Sequence, residues 1–126
     1  MDARALRLGS LCLAAPLAGA LAGAPTLDNT LSTCLAAHLA PPRTAQGQVL
    51  LPLTLEARRS TGECGCTSAL IRYRLLATGA GATSFILQEG LLDSRHAGAR
   101  TLMLVADARL AAGREIEVTL GCRAPD

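Results

Sequence analysis

Hydrophobic and polar positions alternate along most of the chain beyond residue 48. In residues 49–57, Leu51, Leu53 and Leu55 fall on one side and Pro52 and Thr54 on the other. A two-residue period predicts a β-strand with one buried face. Residues 69–77 repeat it, with Ala69, Ile71, Tyr73 and Leu75 opposed to Arg72 and Arg74. Residues 115–122 carry it most clearly. There Ile116, Val118, Leu120 and Cys122 point inward, and Glu115, Glu117 and Thr119 point outward. Residues 84–92 set Phe85 and Leu87 against Ile86 and Gln88, with an interruption at Gly90. Residues 101–108 are nearly all apolar, which predicts a strand covered on both faces. Pro52 has no N–H for a ladder, so its strand is expected at an edge or a bulge.

The shorter stretches are read against this background. Residues 25–33 form a polar entry segment. Over residues 34–39, Leu31, Leu35, His38 and Leu39 fit a helical face, while Leu31, Thr33, Leu35, Ala37 and Leu39 fit an alternating strand. The strand-like remainder of the chain favours an edge strand, and Pro41-Pro42 ends it. Residues 58–62 are a polar loop, residues 79–82 a turn, and residues 93–99 a loop holding Arg95 and His96. Gly113 marks the last turn. Five to seven short strands at this spacing predict an all-β fold. The expected architecture is a small antiparallel β-sandwich, immunoglobulin-like by analogy.

The beginning of the chain breaks the pattern. Residues 1–7 carry Arg4 and Arg7 against Asp2, residues 8–27 have no charge, and Ala18-Gly19-Ala20 and Ala22-Gly23-Ala24 follow the apolar run. A basic start, an apolar middle and small residues at the end read as a signal peptide over residues 1–24. That leaves one domain over residues 25–126 and no membrane span once the leader is gone. Gly9, Pro16, Gly19 and Gly23 argue against a permanent spanning helix. Cutting after Ala24 leaves Pro25 first, so a cut after Ala20 also stands. Cys12 is mid-leader and follows Leu11, which does not suit an acylated cysteine.

Composition changes the picture in two ways. Half of the 126 residues are apolar, but aromatic residues make up only 2%, with one Phe, one Tyr and no Trp. Without the leader, the apolar fraction is ordinary for a globular domain. All 12 basic residues are Arg, the net charge is +2, and the leader takes two of those arginines and one acid with it. So balanced a chain, with so few stacking rings, does not predict a nucleic-acid partner.

The core must then be aliphatic, and crosslinks would make up the shortfall. Cys34, Cys64, Cys66 and Cys122 make an even set in a small exported domain, which predicts two disulfides. Cys64 and Cys66 are about 6.6 Å apart in a strand, too strained to join each other. The uncrossed pairing is Cys34–Cys64 with Cys66–Cys122, and the alternative is Cys34–Cys66 with Cys64–Cys122. On the uncrossed pairing, Cys66–Cys122 would tie two strands across the core.

A competing chemistry uses the same sulfurs. Cys64 and Cys66, with His38 and Met103, could take a soft metal such as Cu(I). Against it, Cys-x-Cys lies outside the spacing of structural zinc sites, and an oxidising compartment consumes thiols. Catalytic constellations are thin. Asp93, Ser94 and His96 are neighbours in one loop, without triad geometry, and the carboxylates are scattered. The sequence predicts no enzyme and calls for no cofactor. Arg58 and Arg59 precede the strand bearing Arg72 and Arg74. These four could form a patch for an anion or an acidic partner, or a charged face that protects a sheet edge.

At Gly62-Glu63-Cys64-Gly65-Cys66-Thr67-Ser68-Ala69-Leu70 the chain resembles a domain-of-unknown-function family of small exported bacterial proteins with a Gly-Glu-Cys-Gly-Cys segment. Cys34 and Cys122 match that group's N-terminal cysteine and final-strand cysteine. The resemblance implies a periplasmic β-domain and brings no known activity. The expectation is a periplasmic or secreted binding or accessory protein that acts on a protein partner through an exposed sheet edge or loop. The alternative is a copper-binding protein.

Overall fold

A computed structural model describes residues 21–79 and 83–124. The leader expected over residues 1–24 lies outside the described residues except for 21–24. So do Cys12 and positions 80–82 of the expected turn. The described residues form strands β1 (Thr26–Asn29), β2 (Leu35–Leu39), β3 (Arg43–Ala45), β4 (Gln48–Ala57), β5 (Leu70–Thr78), β6 (Ser84–Asp93), β7 (Gly98–Val105) and β8 (Glu115–Cys122), with two short 3-10 turns. The strands build two sheets, so the fold is the expected small β-sandwich. None of the helices in the described residues is long and apolar enough to cross a membrane.

One sheet has the order β1-β8-β5-β6. In the other, β4 is central, with β7 on one side and β2 and β3 end to end on the other. The pairs are antiparallel except β1 with β8, which run parallel in the register Leu27↔Val118. The alternation read from the sequence decides which side faces inward. Leu51, Leu53 and Leu55 of β4 and Leu102 and Leu104 of β7 are buried against Ile71 and Leu75 of β5 and Ile116, Val118 and Leu120 of β8. Each such side chain contributes about 1.5–3 kcal/mol by leaving water. Among the described residues the buried core is therefore made of many small aliphatic terms, with Tyr73 half-buried against it.

Several expectations need correction. The segment read as a polar entry contains β1, and β3 was not foreseen. β1 is four residues long with an exposed–half-buried alternation, too short to show a period. Pro52 sits in central β4, neither at an edge nor at a bulge. Its carbonyl accepts the Ala40 N–H at 3.0 Å, so its own N–H-less nitrogen faces the break between β2 and β3, where Pro41-Pro42 interrupts the neighbouring strand. No ladder bond is lost there. β7 is not covered on both faces. It ends at Val105, and Met103 stays 40% exposed on the outer face.

β6 runs through Gly90 rather than stopping there. Its register steps from Leu75↔Gln88 to Leu76↔Ile86, so Leu87 is the extra residue of a bulge. The bulge moves Gln88 onto the same face as buried Leu75, opposite to the sequence reading. Gly90 itself faces Tyr73 across the ladder. A Cβ on Gly90 would lie 2.6 Å from the Tyr73 hydroxyl oxygen and 2.7 Å from a ring carbon. Gly90→Ala is therefore expected to destabilise the fold by about 1–3 kcal/mol. Urea unfolding checks it, and the penalty should largely vanish in a Tyr73→Leu background.

Candidate functional site

Three connections meet at one end of the sandwich: residues 30–34, 58–69 and 94–97. The register Leu35↔Ala57, Leu55↔Gly98 and Leu70↔Asp93 brings them there. The first is shaped by Asn29. Its amide donates to the Leu35 carbonyl at 2.7 Å, and its side-chain oxygen accepts the Leu31 N–H at 2.9 Å. This turn aims the Cys34 carbonyl at the start of the β4–β5 connection. The Arg58 and Arg59 N–H groups both donate to that oxygen, at 2.8 and 3.0 Å.

The β4–β5 connection then makes a 3-10 turn over Thr61–Cys64, with the Ser60 hydroxyl accepting from the Gly62 N–H. Thr61 is buried and donates its hydroxyl to the Ser68 carbonyl at 2.9 Å. Gly65 ends the turn at φ 89°, a left-handed conformation that glycine adopts without cost. The reversal at Gly65 sends the two flanking sulfurs to different partners. Cys34 joins Cys64 and Cys66 joins Cys122, the uncrossed pairing. The expected tie across the core is corrected in one respect. Cys122 lies opposite Ile71 of β5, and Cys66 belongs to the connection that enters β5. That bond staples the connection to the β8–β5 sheet, while Cys34–Cys64 staples it to the start of β2 in the other sheet.

Beside this clamped loop lies a cleft of about 440 Å³, lined by Arg58, Arg59, Ser60, Thr61, Ser94 and Arg95, among others. Arg58 and Arg59 are exposed and have no hydrogen bond or ion pair from their guanidinium groups to another described residue. Arg95 is held by Asp93 through two guanidinium bonds of 3.0 and 2.9 Å. The same carboxylate accepts the Arg95 N–H and faces His96 Nδ1 at 3.1 Å. These side-chain and backbone hydrogen bonds from Arg95 hold the Asp93 carboxyl well below the usual carboxylate range. The Ser94 hydroxyl turns away and donates to the Ala69 carbonyl at 2.6 Å, so Asp93, Ser94 and His96 do not form a relay.

The four-arginine patch is therefore divided. Arg58 and Arg59 line the cleft, whereas Arg72 and Arg74 lie on the outer face of β5, a central strand between β6 and β8. They do not guard an edge. Arg74 pairs with Glu89 at 2.5 Å. Arg95, read in the sequence only as part of a loop, joins the first two because β5 pairs with β6. No local signal could have placed it there.

The soft-metal alternative is also corrected. Cys64 and Cys66 are consumed by disulfides. His38 on β2 pairs with Thr54, and Met103 on β7 pairs with Leu50, which places both on the outer face of their sheet, away from those sulfurs. Among the described residues, no group of three or more His, Cys, Asp or Glu side chains is placed to hold a metal ion.

A family model described as an uncharacterized protein conserved in bacteria (DUF2195) matches residues 6–125. The chain belongs to this family. The match spans the positions of the resemblance, Cys34, the Cys64/Cys66 segment and Cys122, and most of the chain around them. No curated protein and no solved structure matches the chain.

Peptide mapping without reductant is expected to recover Cys34 linked to Cys64 and Cys66 linked to Cys122. Replacing Cys34 and Cys64 by Ser should lower stability by about 2–4 kcal/mol in urea unfolding. The lowered Asp93 pKa has a definite consequence for stability. Its contribution to stability is complete above the ordinary carboxylate pKa near 3.8 and is lost as pH falls below that value. Carbon-detected NMR titration should find Asp93 still ionised well below that range, and Arg95→Ala should move its titration up toward 3.8.

Proposed function

We propose that the protein is an exported, non-catalytic binding module that docks an acidic segment of a protein partner in the cleft of Arg58, Arg59 and Arg95. Two disulfides support export, because such bonds persist in oxidising compartments and are rare in reducing ones. The observation that carries the binding reading is the pair of guanidinium groups, Arg58 and Arg59, that have no partner among the described residues and sit on a loop held from both sides by disulfides. A guanidinium fork matches a carboxylate with two parallel hydrogen bonds. Rigid backbone anchoring to the Cys34 carbonyl lowers the ordering cost when a ligand arrives.

The arginines are solvent-exposed, so each pair would contribute only about 0.2–1 kcal/mol and would weaken with salt. Binding is therefore expected to be modest, fast and sensitive to ionic strength. Fluorescence anisotropy with labelled hexaglutamate should detect binding at low ionic strength, and an uncharged Gly/Ser peptide should not bind. The double variant Arg58→Glu/Arg59→Glu should lose about tenfold or more in affinity, equal to about 1.4 kcal/mol. Arg43→Glu, on β3 at the opposite end of the sandwich, should leave it little changed. Equal binding by wild type and the double variant would overturn the assignment.

A further inference from the structure

We infer that the leader is removed between Ala20 and Leu21, so that the mature chain begins at Leu21 rather than Pro25. The inference rests on the export reading proposed above but uses a different part of the molecule. The domain does not begin at residue 25. Leu21 is half-buried and packs against the hydrophobic core. The Ala22 N–H donates to the Arg114 carbonyl at 3.1 Å, which carries the line of β1 back beyond Thr26, alongside the approach to β8. Ala22, Gly23 and Ala24 then form one wall of a cleft of about 200 Å³, with Thr78, Glu115 and Glu117 opposite. Arg114 is itself fixed by its guanidinium over the Phe85 ring, 4.7 Å from the centroid. A cut after Ala24 would discard the Leu21 contact and the Ala22 bond together.

Peptide chemistry points the same way. Ala18-Gly19-Ala20 presents small residues at the first and third positions before the inferred cut, the pattern that a signal peptidase accepts. Ala22-Gly23-Ala24 presents them too, but Pro25 would follow its cut. The Ala24–Pro25 bond is a tertiary amide with no N–H, and its leaving side is locked near φ −65°. At the inferred site, water adds across an ordinary secondary amide. The Ala20 C–Leu21 N bond breaks, the water oxygen forms a C–O bond to give the Ala20 carboxylate, and the leaving nitrogen takes both of the water's protons to become the Leu21 α-ammonium.

The full chain should be expressed in a bacterium with a periplasm, and the exported protein analysed by intact mass and N-terminal sequencing. The expected product is residues 21–126. Ala20→Phe should abolish most processing, at least tenfold by the ratio of mature to precursor. Ala24→Phe, at an exposed position, should leave the cut in place. A product beginning at Pro25, or processing lost in Ala24→Phe and kept in Ala20→Phe, overturns the inferred site while leaving export intact. An uncleaved chain that never leaves the cytoplasm overturns both the site and the export reading. Neither result bears on the arginine cleft, which the peptide-binding experiment tests separately.

Discussion

The connection from β4 to β5 carries the chain from one sheet to the other, and both disulfides end on it. Cys64 ties it to the entry of β2, and two residues later Cys66 ties it to the end of β8. An aliphatic core offers many small burial terms and few large ones. Its two sheets can slide or splay unless something fixes their relative position. The closed loops span sequence separations of 30 and 56 residues. In the chain-entropy account each bond restricts the unfolded chain by about 4 kcal/mol, a large share of the stability of a domain this size.

The same clamp creates the candidate site. Arg58 and Arg59 hang their backbone N–H groups on the Cys34 carbonyl, one residue's chemistry away from the Cys34–Cys64 bond. The Ser94 hydroxyl fastens the β6–β7 turn to Ala69 on the far wall of the cleft, and Asp93 fixes Arg95 within that turn. Two of the three arginines keep their charge available because no described side chain pairs with their guanidinium groups. The third is committed to its own turn and contributes mainly shape and positive potential. At the opposite end, Asp107 and Arg109 repeat the Asp-x-Arg arrangement, and Arg109 lowers the Asp107 carboxyl to about 2. There it closes a 3-10 turn, which marks the arrangement as a way of building turns and not by itself a functional signature.

Long alternating strands were legible because their period is imposed by burial on one face. β4, β5 and β8 follow the positions read from Leu51, Ile71 and Val118 and their neighbours. β1 and β3 were not legible, since four and three residues are too few for a period and their pairing comes from strands distant in sequence. The β6 bulge was hidden for a related reason. Leu87 looks like one more alternating apolar residue, and only the pairing with β5 reveals that it is extra. Pro52 misled in the opposite direction. Its missing N–H suggested an edge, and the gap it needs is supplied by Pro41-Pro42 in the adjacent strand.

The cysteine set, the aliphatic core and the inward faces of the main strands follow from the sequence itself. They depend on composition and on a short-range period that the chain carries locally. The grouping of Arg58 and Arg59 with Arg95, the separation of Arg72 and Arg74 from them, the placing of His38 and Met103 away from the sulfurs and the docking of Leu21 on the core were decided by the tertiary structure alone. Each depends on strand order and register, which are set by contacts between segments far apart in the chain.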